Sequence, residues 1–273
     1  MPQEEKTIID SLNTIGPWII SFIALVQVWA IEAYKKFRNG KIEIHELGQI
    51  EIGFNSYGPM ITFMGTLRSI HKDVFVKNAE ITLTRLKDES RHKFNWRAFR
   101  QNALFTTSSD SITYDLATGF LLSKTQPFKY GIIFFEEDFI SDQRSTLETV
   151  QSKWIDYQRK RLDEIKNDPE VNFKDLDLSS VNWSIFDEFW NKPETTQAYT
   201  DLDRALYWTA GEYKIELSIE ASNPEQTFEK TYKFSLSEKD EENFRLNCLG
   251  IIEDICGMRS HYNLAYPKLS SEN

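Results

Sequence analysis

The chain has 273 residues, 40% of them hydrophobic and 27% charged, which is enough for one large folded domain or two modest ones. Aromatic residues make up 14% of the sequence, so a wholly disordered chain is excluded. The formal net charge is −10, and because acidic proteins repel phosphates, no nucleic-acid partner is expected.

An uncharged, apolar stretch lies near the N-terminus, from Ile15 to Ile31. About 20 apolar residues are needed to cross a bilayer as a helix, and tryptophans are typical of the two ends of such a helix. We therefore predict a short N-terminal tail over 1–14 and a single transmembrane helix over 15–33. The residues assigned to this membrane anchor are Trp18, Gln27 and Trp29.

A basic juxtamembrane segment follows over 34–41. Its positive residues are Lys35, Lys36, Arg38 and Lys41. Lysine and arginine are retained on the cytoplasmic side of a membrane. The sequence therefore predicts a single-pass protein with its N-terminus outside and its C-terminal domain in the cytoplasm, and the lipid bilayer is the first expected partner.

Residues 42–260 are predicted to form a soluble domain rich in β-strands. Alternating segments separated by turn residues fill its first half, and alternation returns as a hairpin over Tyr213–Ala221 and Phe228–Leu236. The predicted fold class is mainly β with helical additions, namely an antiparallel β-sandwich of the immunoglobulin-like class, although the Cys…Trp…Cys signature is absent. The alternative is two domains that divide near residue 140.

Two parts of this domain have helical spacing instead. The first is an acidic α-helical insertion at about 138–205, where Glu136 to Asp203 holds 17 acidic residues against 8 basic ones. The second is a C-terminal helix, with Ser237 in the position of an N-cap and Gly257 at its end. A polar tail over 261–273 completes the chain.

Two groups of residues are candidates for interaction. A stretch over 91–100 interleaves basic and aromatic residues, as binding surfaces do, but an ordinary half-buried strand has the same pattern. An aromatic group inside the acidic insertion is either core packing or a partner-binding surface. The candidate residues are Lys93, Arg97 and Arg100 in the first group, and Trp183, Phe186, Phe189 and Trp190 in the second.

No residue pattern predicts a catalytic, cofactor or metal site. Cys248 and Cys256 lie eight positions apart in one predicted helix, about 12 Å at the usual rise, which is too far for a disulfide. Nucleotide-binding glycine loops, a P-loop and an HExxH motif are all absent. We therefore expect no cofactor, no bound metal and no enzymatic activity.

The function expected from these patterns is that of a membrane-anchored protein whose cytoplasmic β-sandwich is an interaction or sensing module. Its partner would be an unknown protein or a second copy of the chain. Two alternatives remain open. One is a membrane effector whose transmembrane helices self-associate on a signal, with Gln27 bonding between helices. The other is an enzyme with dispersed active-site residues.

Overall fold

The computed structural model describes residues 21–34, 40–101, 113–169, 176–222, 225–258 and 261–271. These ranges contain eleven strands in one sheet, together with five helices. The strands are β1 (Lys41–Asn55), β2 (Gly58–Ile70), β3 (Val74–Arg85), β4 (Arg91–Gln101), β5 (Thr113–Leu116), β6 (Phe120–Leu122), β7 (Phe128–Glu136), β8 (Gly211–Ser222), β9 (Gln226–Leu236), β10 (Leu264–Ala265) and β11 (Ser270–Ser271). The helices are α1 (residues 21–34), α2 (Phe139–Asn167), α3 (Leu178–Trp190), α4 (Pro193–Ala205) and α5 (Glu238–Ile255).

The sheet is continuous and antiparallel, with the strand order β10-β1-β2-β7-β4-β3-β8-β9-β11. Two short strands lie off this path, because β5 pairs with β4 and β6 pairs with β3. The hairpin predicted from alternation is confirmed, since β8 and β9 pair along their whole length with Ile215 opposite Tyr232. Alternation was a reliable signal here because a pleated strand with one buried face must repeat every two residues.

The sheet bends into a half-barrel around a single core, so the predicted β-sandwich of two packed sheets is wrong. Register shifts interrupt the ladders after Glu46 in β1, after Val76 in β3 and after Trp96 in β4. Such bulges bend a strand and increase its twist. The period of two indicates only that one face is buried, and it does not say whether a second sheet or the same sheet covers that face.

The C-terminal segment lies along both edges of the half-barrel. Its strand β10 pairs with β1, with Ala265 opposite Ile52, and its strand β11 pairs with β9, with Ser271 opposite Tyr232. Between the two strands, the backbone N–H of Leu269 donates to the carbonyl oxygen of Gly48 at 2.9 Å. The segment that the sequence indicates as a polar tail therefore connects the two edges of the sheet.

The helices cover the end of the half-barrel at which β1 finishes, called here the helix-covered end. The indole N–H of Trp208 donates to the carbonyl oxygen of Gly53 at 3.0 Å, and the Asn247 amide in α5 donates to that of Phe54 at 3.0 Å. The ring of Phe139, the first residue of α2, meets the ring of Phe54 edge-on at 5.4 Å. Helices α2 and α5 and the segment that follows α4 therefore cover one end of the core.

The boundaries of α5 confirm the prediction made from its capping residues. The Ser237 hydroxyl accepts from the backbone N–H of Asp240, and the Asp240 carboxylate accepts from the backbone N–H of Ser237, which completes a capping box. Gly257 follows the helix with φ of +71°, a conformation that glycine adopts without strain. Residues close in sequence therefore set both ends of this helix, through side chains at its start and a glycine backbone at its end.

No helix in the described part of the chain is both long enough and apolar enough to span a membrane. The prediction of a transmembrane helix over 15–33 is therefore corrected, and with it the single-pass membrane localisation. Positions 15–20 of that prediction lie outside the described residues.

Candidate functional site

The two edges of the half-barrel, β1 and β9, are joined in two different ways. Beside residues 48–53 the C-terminal segment pairs with β1. Along residues 41–46 and 226–231, no strand pairing joins the two edges within the described chain. This part of the boundary is called here the β1–β9 gap.

A side-chain ion pair crosses the β1–β9 gap. The Nζ atom of Lys230 lies 3.2 and 3.1 Å from the two carboxylate oxygens of Glu46, and 3.5 Å from the carbonyl oxygen of Ile44. Because these contacts replace a backbone ladder, the gap can widen without the loss of any sheet hydrogen bond between its two edges. Both charged groups are largely buried, with 19% of the Glu46 side chain and 32% of the Lys230 side chain exposed.

Two tyrosine side chains lie in the interior next to this ion pair. Tyr232 is fully buried, its ring is 5.4 Å from that of Phe63, and the Nζ atom of Lys230 lies 5.1 Å from its ring centre. The hydroxyl groups of Tyr130 and Tyr232 are buried and have no hydrogen-bond partner in the described chain. Since buried hydroxyls are nearly always bonded, these two groups are candidates for contact with a ligand atom.

A glycine in β2 makes room for one of these hydroxyls. A Cβ atom at Gly65 would lie 2.4 Å from the carbonyl oxygen of His45 and 2.9 Å from the hydroxyl oxygen of Tyr130. Gly65 is also the residue paired with both Glu46 and Tyr130 in the sheet. The absence of a side chain at Gly65 lets the Tyr130 phenol lie against β1. The interior polar cluster is the name used here for Glu46, Tyr130, Lys230 and Tyr232.

Four aromatic side chains from β4, β6 and β7 line another part of the same interior. Their ring centres are separated by 4.7 Å (Trp96 and Phe99), 5.2 Å (Phe99 and Phe120) and 4.6 Å (Phe120 and Phe128). The bulge after Trp96 turns Trp96 and Phe99 to the same face. The indole N–H of Trp96 is buried without a partner in the described residues. These four residues are called here the aromatic wall.

Burial raises the pKa values of both interior phenols above the ordinary value for tyrosine. For Tyr130 burial is the largest cause, followed by the nearby Tyr232 and Glu46, and for Tyr232 the carboxylate of Glu46 adds to burial. A phenolate is disfavoured there because it would be a second negative charge in a poorly solvated site. At neutral pH both groups are therefore neutral and able to donate a hydrogen bond.

These pKa shifts predict a loss of stability in alkaline solution. A tyrosine pKa that is raised in the folded state contributes stability below the unfolded-state value of about 10, and this contribution is lost as the pH rises above it. The variant Tyr130→Phe/Tyr232→Phe should therefore have an alkaline unfolding midpoint at higher pH than the wild type. Circular dichroism and phenolate absorbance, recorded together between pH 8 and about 12.5, measure this midpoint. Arginine stays largely protonated over this pH range, so its titration does not contribute.

The same double variant should be at least as stable as the wild type at pH 7, because it removes two buried hydroxyls that have no partner in the described chain. An unchanged alkaline midpoint, or a large loss of stability at pH 7, would contradict the assignment of these phenols as buried and unbonded.

A second cluster of titratable groups lies at the helix-covered end. The His92 ring stacks on Tyr207 at 3.8 Å, and its Nδ1 atom is 3.7 Å from a carboxylate oxygen of Glu136. The other Glu136 oxygen accepts from the backbone N–H of Phe139 at 2.7 Å, at the start of α2. Burial, followed by the charge of Glu136, raises the pKa of Tyr207 well above its ordinary value. The Glu136 carboxylate already bonds the first residue of α2, so this cluster has a structural role.

Cysteine and metal chemistry find no support in the described residues. Burial raises the pKa of Cys248, and also that of Cys256, to about 12, so neither thiol is a reactive thiolate at neutral pH. No group of three or more His, Cys, Asp or Glu side chains able to hold a metal is found in the described ranges.

The basic candidates from the sequence occupy three different environments. Lys93 forms a cross-strand ion pair with Glu80 at 3.3 Å, and Arg97 is exposed. Arg100 is largely buried, and its Nη1 atom lies 3.0 and 2.8 Å from the two carboxylate oxygens of Glu51. The three residues therefore do not form one common surface, and the interaction proposed for them stays a prediction.

The aromatic candidates of the insertion lie on α3 and face largely inward. Phe186 and Phe189 are buried, and both rings contact Trp154 of α2. Trp190 is half-buried, whereas Trp183 is the exposed member of the group, with 36% of its surface accessible. A partner-binding role for this group therefore rests mainly on Trp183.

The predicted anchor and juxtamembrane residues are only partly described. Gln27 and Trp29 lie on α1 and are exposed, and Lys41 is the exposed first residue of β1. The remaining candidates lie outside the described residues, and they are Trp18, Lys35, Lys36 and Arg38.

The interior polar cluster was missed by the sequence analysis, although a signal for it exists. In β9 the apolar phase runs Phe228, Lys230, Tyr232, Phe234, so a lysine occupies a position whose neighbours face the core. In β1, Glu46 continues the phase of Ile42 and Ile44 in the same way. A charged residue in the apolar phase of a strand is informative because charges are rarely buried without a partner.

Comparison with known proteins gives no relative to this chain. No family model, no curated protein and no solved structure matches it. Any functional statement therefore depends on the geometry of the chain itself.

Proposed function

We propose that the half-barrel is a sensing module, which binds a small apolar molecule in its interior beside the β1–β9 gap. The observation that carries this proposal is the pair of buried, unbonded phenol groups of Tyr130 and Tyr232 next to a boundary without backbone pairing. Small-molecule sites are mostly apolar with a few placed polar groups, and the mouths of barrels are common places for them.

The proposed role is binding without chemistry. Covalent or acid–base catalysis needs a nucleophile or base of suitable pKa within reach of a partner group. In the interior polar cluster, the Glu46 carboxylate is bound by Lys230. Both phenols have raised pKa values and stay protonated at neutral pH. These properties favour recognition over catalysis.

A route from the bound molecule to the surface is also present. Glu46 directly precedes the bulge at residues 47–49, whose residues are exposed. Within this bulge, the carbonyl oxygen of Gly48 accepts from Leu269 of the C-terminal segment. Displacement of Glu46 would therefore act on the segment that connects the two sheet edges. A protein partner, or a second copy of the chain, that responds to this change stays a prediction.

Binding can be tested with N-phenyl-1-naphthylamine, a neutral apolar probe whose fluorescence rises in apolar surroundings. We expect saturable binding to the full chain, and we expect Ile44→Trp to weaken it at least tenfold. Ile44 is half-buried in the gap, so a larger side chain there would fill the space. Fluorescence titration at fixed protein concentration measures both affinities.

The matched control is His45→Trp, the same substitution at the next residue of β1, whose side chain is 63% exposed. It should leave the affinity unchanged. Only binding that Ile44→Trp removes counts as interior binding, because the exposed apolar residues of α1 also attract such probes. Absence of saturable binding, or equal affinities of all three proteins, would overturn the proposal.

A further inference from the structure

The buried polar groups of the interior that have no hydrogen-bond partner in the described residues are able to donate hydrogen bonds. The indole N–H of Trp96 can only donate, and the phenols of Tyr130 and Tyr232 can donate as well as accept. Each buried donor without an acceptor costs about 1–3 kcal/mol of desolvation. A molecule that offers acceptor oxygens to these donors would recover part of that cost. A molecule that offers only donors would leave the indole N–H without an acceptor.

The charges of the site are already balanced. The ammonium group of Lys230 has three hydrogens, and three acceptor oxygens surround it, two from Glu46 and one from Ile44. An additional anion would lie in a buried site near the Glu46 carboxylate without a cation of its own. An additional cation would lie near the Lys230 ammonium group without a carboxylate of its own, since Lys230 already binds Glu46. Burial of an unpaired charge is costly in either case, so the site favours a neutral molecule.

The apolar surroundings indicate the shape of that molecule. Phe120 and Phe128 are stacked with an angle of 29° between their ring planes, and Phe99 meets both rings edge-on. Phe63 packs against the ring of Tyr232 in the same interior. Flat rings pack well against such surfaces, because offset and edge-on contacts between rings are favourable.

We infer that the ligand is a neutral, ring-containing apolar compound that carries a carbonyl oxygen, and that this oxygen accepts a hydrogen bond from Tyr130 or Tyr232. This inference rests on the proposed function, because it names the ligand class of the same interior site. The apolar ring lies against the aromatic wall, and the carbonyl group lies beside the Glu46–Lys230 ion pair.

Three naphthalene derivatives of similar size test this assignment by displacement of N-phenyl-1-naphthylamine from the full chain. The ketone 2-acetylnaphthalene offers an acceptor, 2-ethylnaphthalene has none, and 2-naphthoate adds a negative charge. We expect the ketone to bind about tenfold more tightly than the hydrocarbon, the effect of one recovered hydrogen bond, and more tightly than the anion. Competition titrations measure the three affinities under identical conditions.

The variant Tyr130→Phe/Tyr232→Phe supplies the control, because it removes the two donors and keeps both rings. It should lower the affinity ratio of ketone to hydrocarbon toward one, through weaker binding of the ketone. Equal affinity of the ketone and the hydrocarbon for the wild type, or an unchanged ratio in the variant, would overturn the ligand class while interior binding of the probe stands. If the probe itself fails to bind, the proposed function fails instead.

Discussion

Replacement of Trp208 by alanine is expected to lower the free energy of unfolding by about 3–5 kcal/mol. Trp208 is fully buried, and its ring contacts those of Phe94, Tyr207, Tyr213 and Phe244. The substitution leaves a cavity at the helix-covered end and removes the hydrogen bond to the carbonyl oxygen of Gly53. Urea denaturation followed by circular dichroism measures the change.

The control for this prediction is Trp208→Phe, which keeps an aromatic ring and loses only the indole N–H and part of the volume. We expect it to retain more than half of the stability that Trp208→Ala loses, since cavity formation is the larger contribution. A loss below about 1 kcal/mol for Trp208→Ala would show that Trp208 does not join the helices to the sheet.

Replacement of Glu51 by leucine is expected to cost about 3–5 kcal/mol, because it leaves the guanidinium group of Arg100 buried without its partner. The side chains of Glu51 and Arg100 are 5% and 16% exposed, and their ion pair joins β1 to β4 across 49 positions of sequence. The Thr62 hydroxyl also donates to the Glu51 carboxylate, at 3.3 Å. Urea denaturation at pH 7 measures the loss.

The double variant Glu51→Leu/Arg100→Met is the informative comparison for this ion pair. Removal of both charges should recover much of the stability that Glu51→Leu loses, because an apolar pair can replace a buried ion pair at little cost. If Glu51→Leu is as stable as the wild type, Arg100 does not depend on this carboxylate, and its interaction role from the sequence analysis gains support.

Local features of the fold were predictable from the sequence because neighbouring residues produce them. The hairpin of β8 and β9 follows from alternation over Tyr213–Ala221 and Phe228–Leu236. The start of α5 follows from the Ser237 capping box, and its end from Gly257. In each case the interacting groups lie within a few residues of one another, or in two strands joined by a short turn.

The membrane prediction shows where such local patterns fail. The apolar stretch from Ile15 to Ile31 satisfies the composition of a spanning segment, but composition alone does not determine the structure that the residues adopt. No membrane-spanning helix is present in the ranges that the structure describes. The sandwich prediction fails for a related reason. Alternation indicates that one face of each strand is buried, but it does not indicate how many sheets the strands form.

The sequence by itself determined the mainly β class with helical additions, the alternation of the strands and the capping of α5, because these depend on local periodicity and on side chains close in sequence. Only the tertiary structure decided that one sheet curls into a half-barrel and brings Lys230 to Glu46, 184 positions away. Bulges and the C-terminal segment set that curvature, and contacts over such separations depend on the path of the whole sheet.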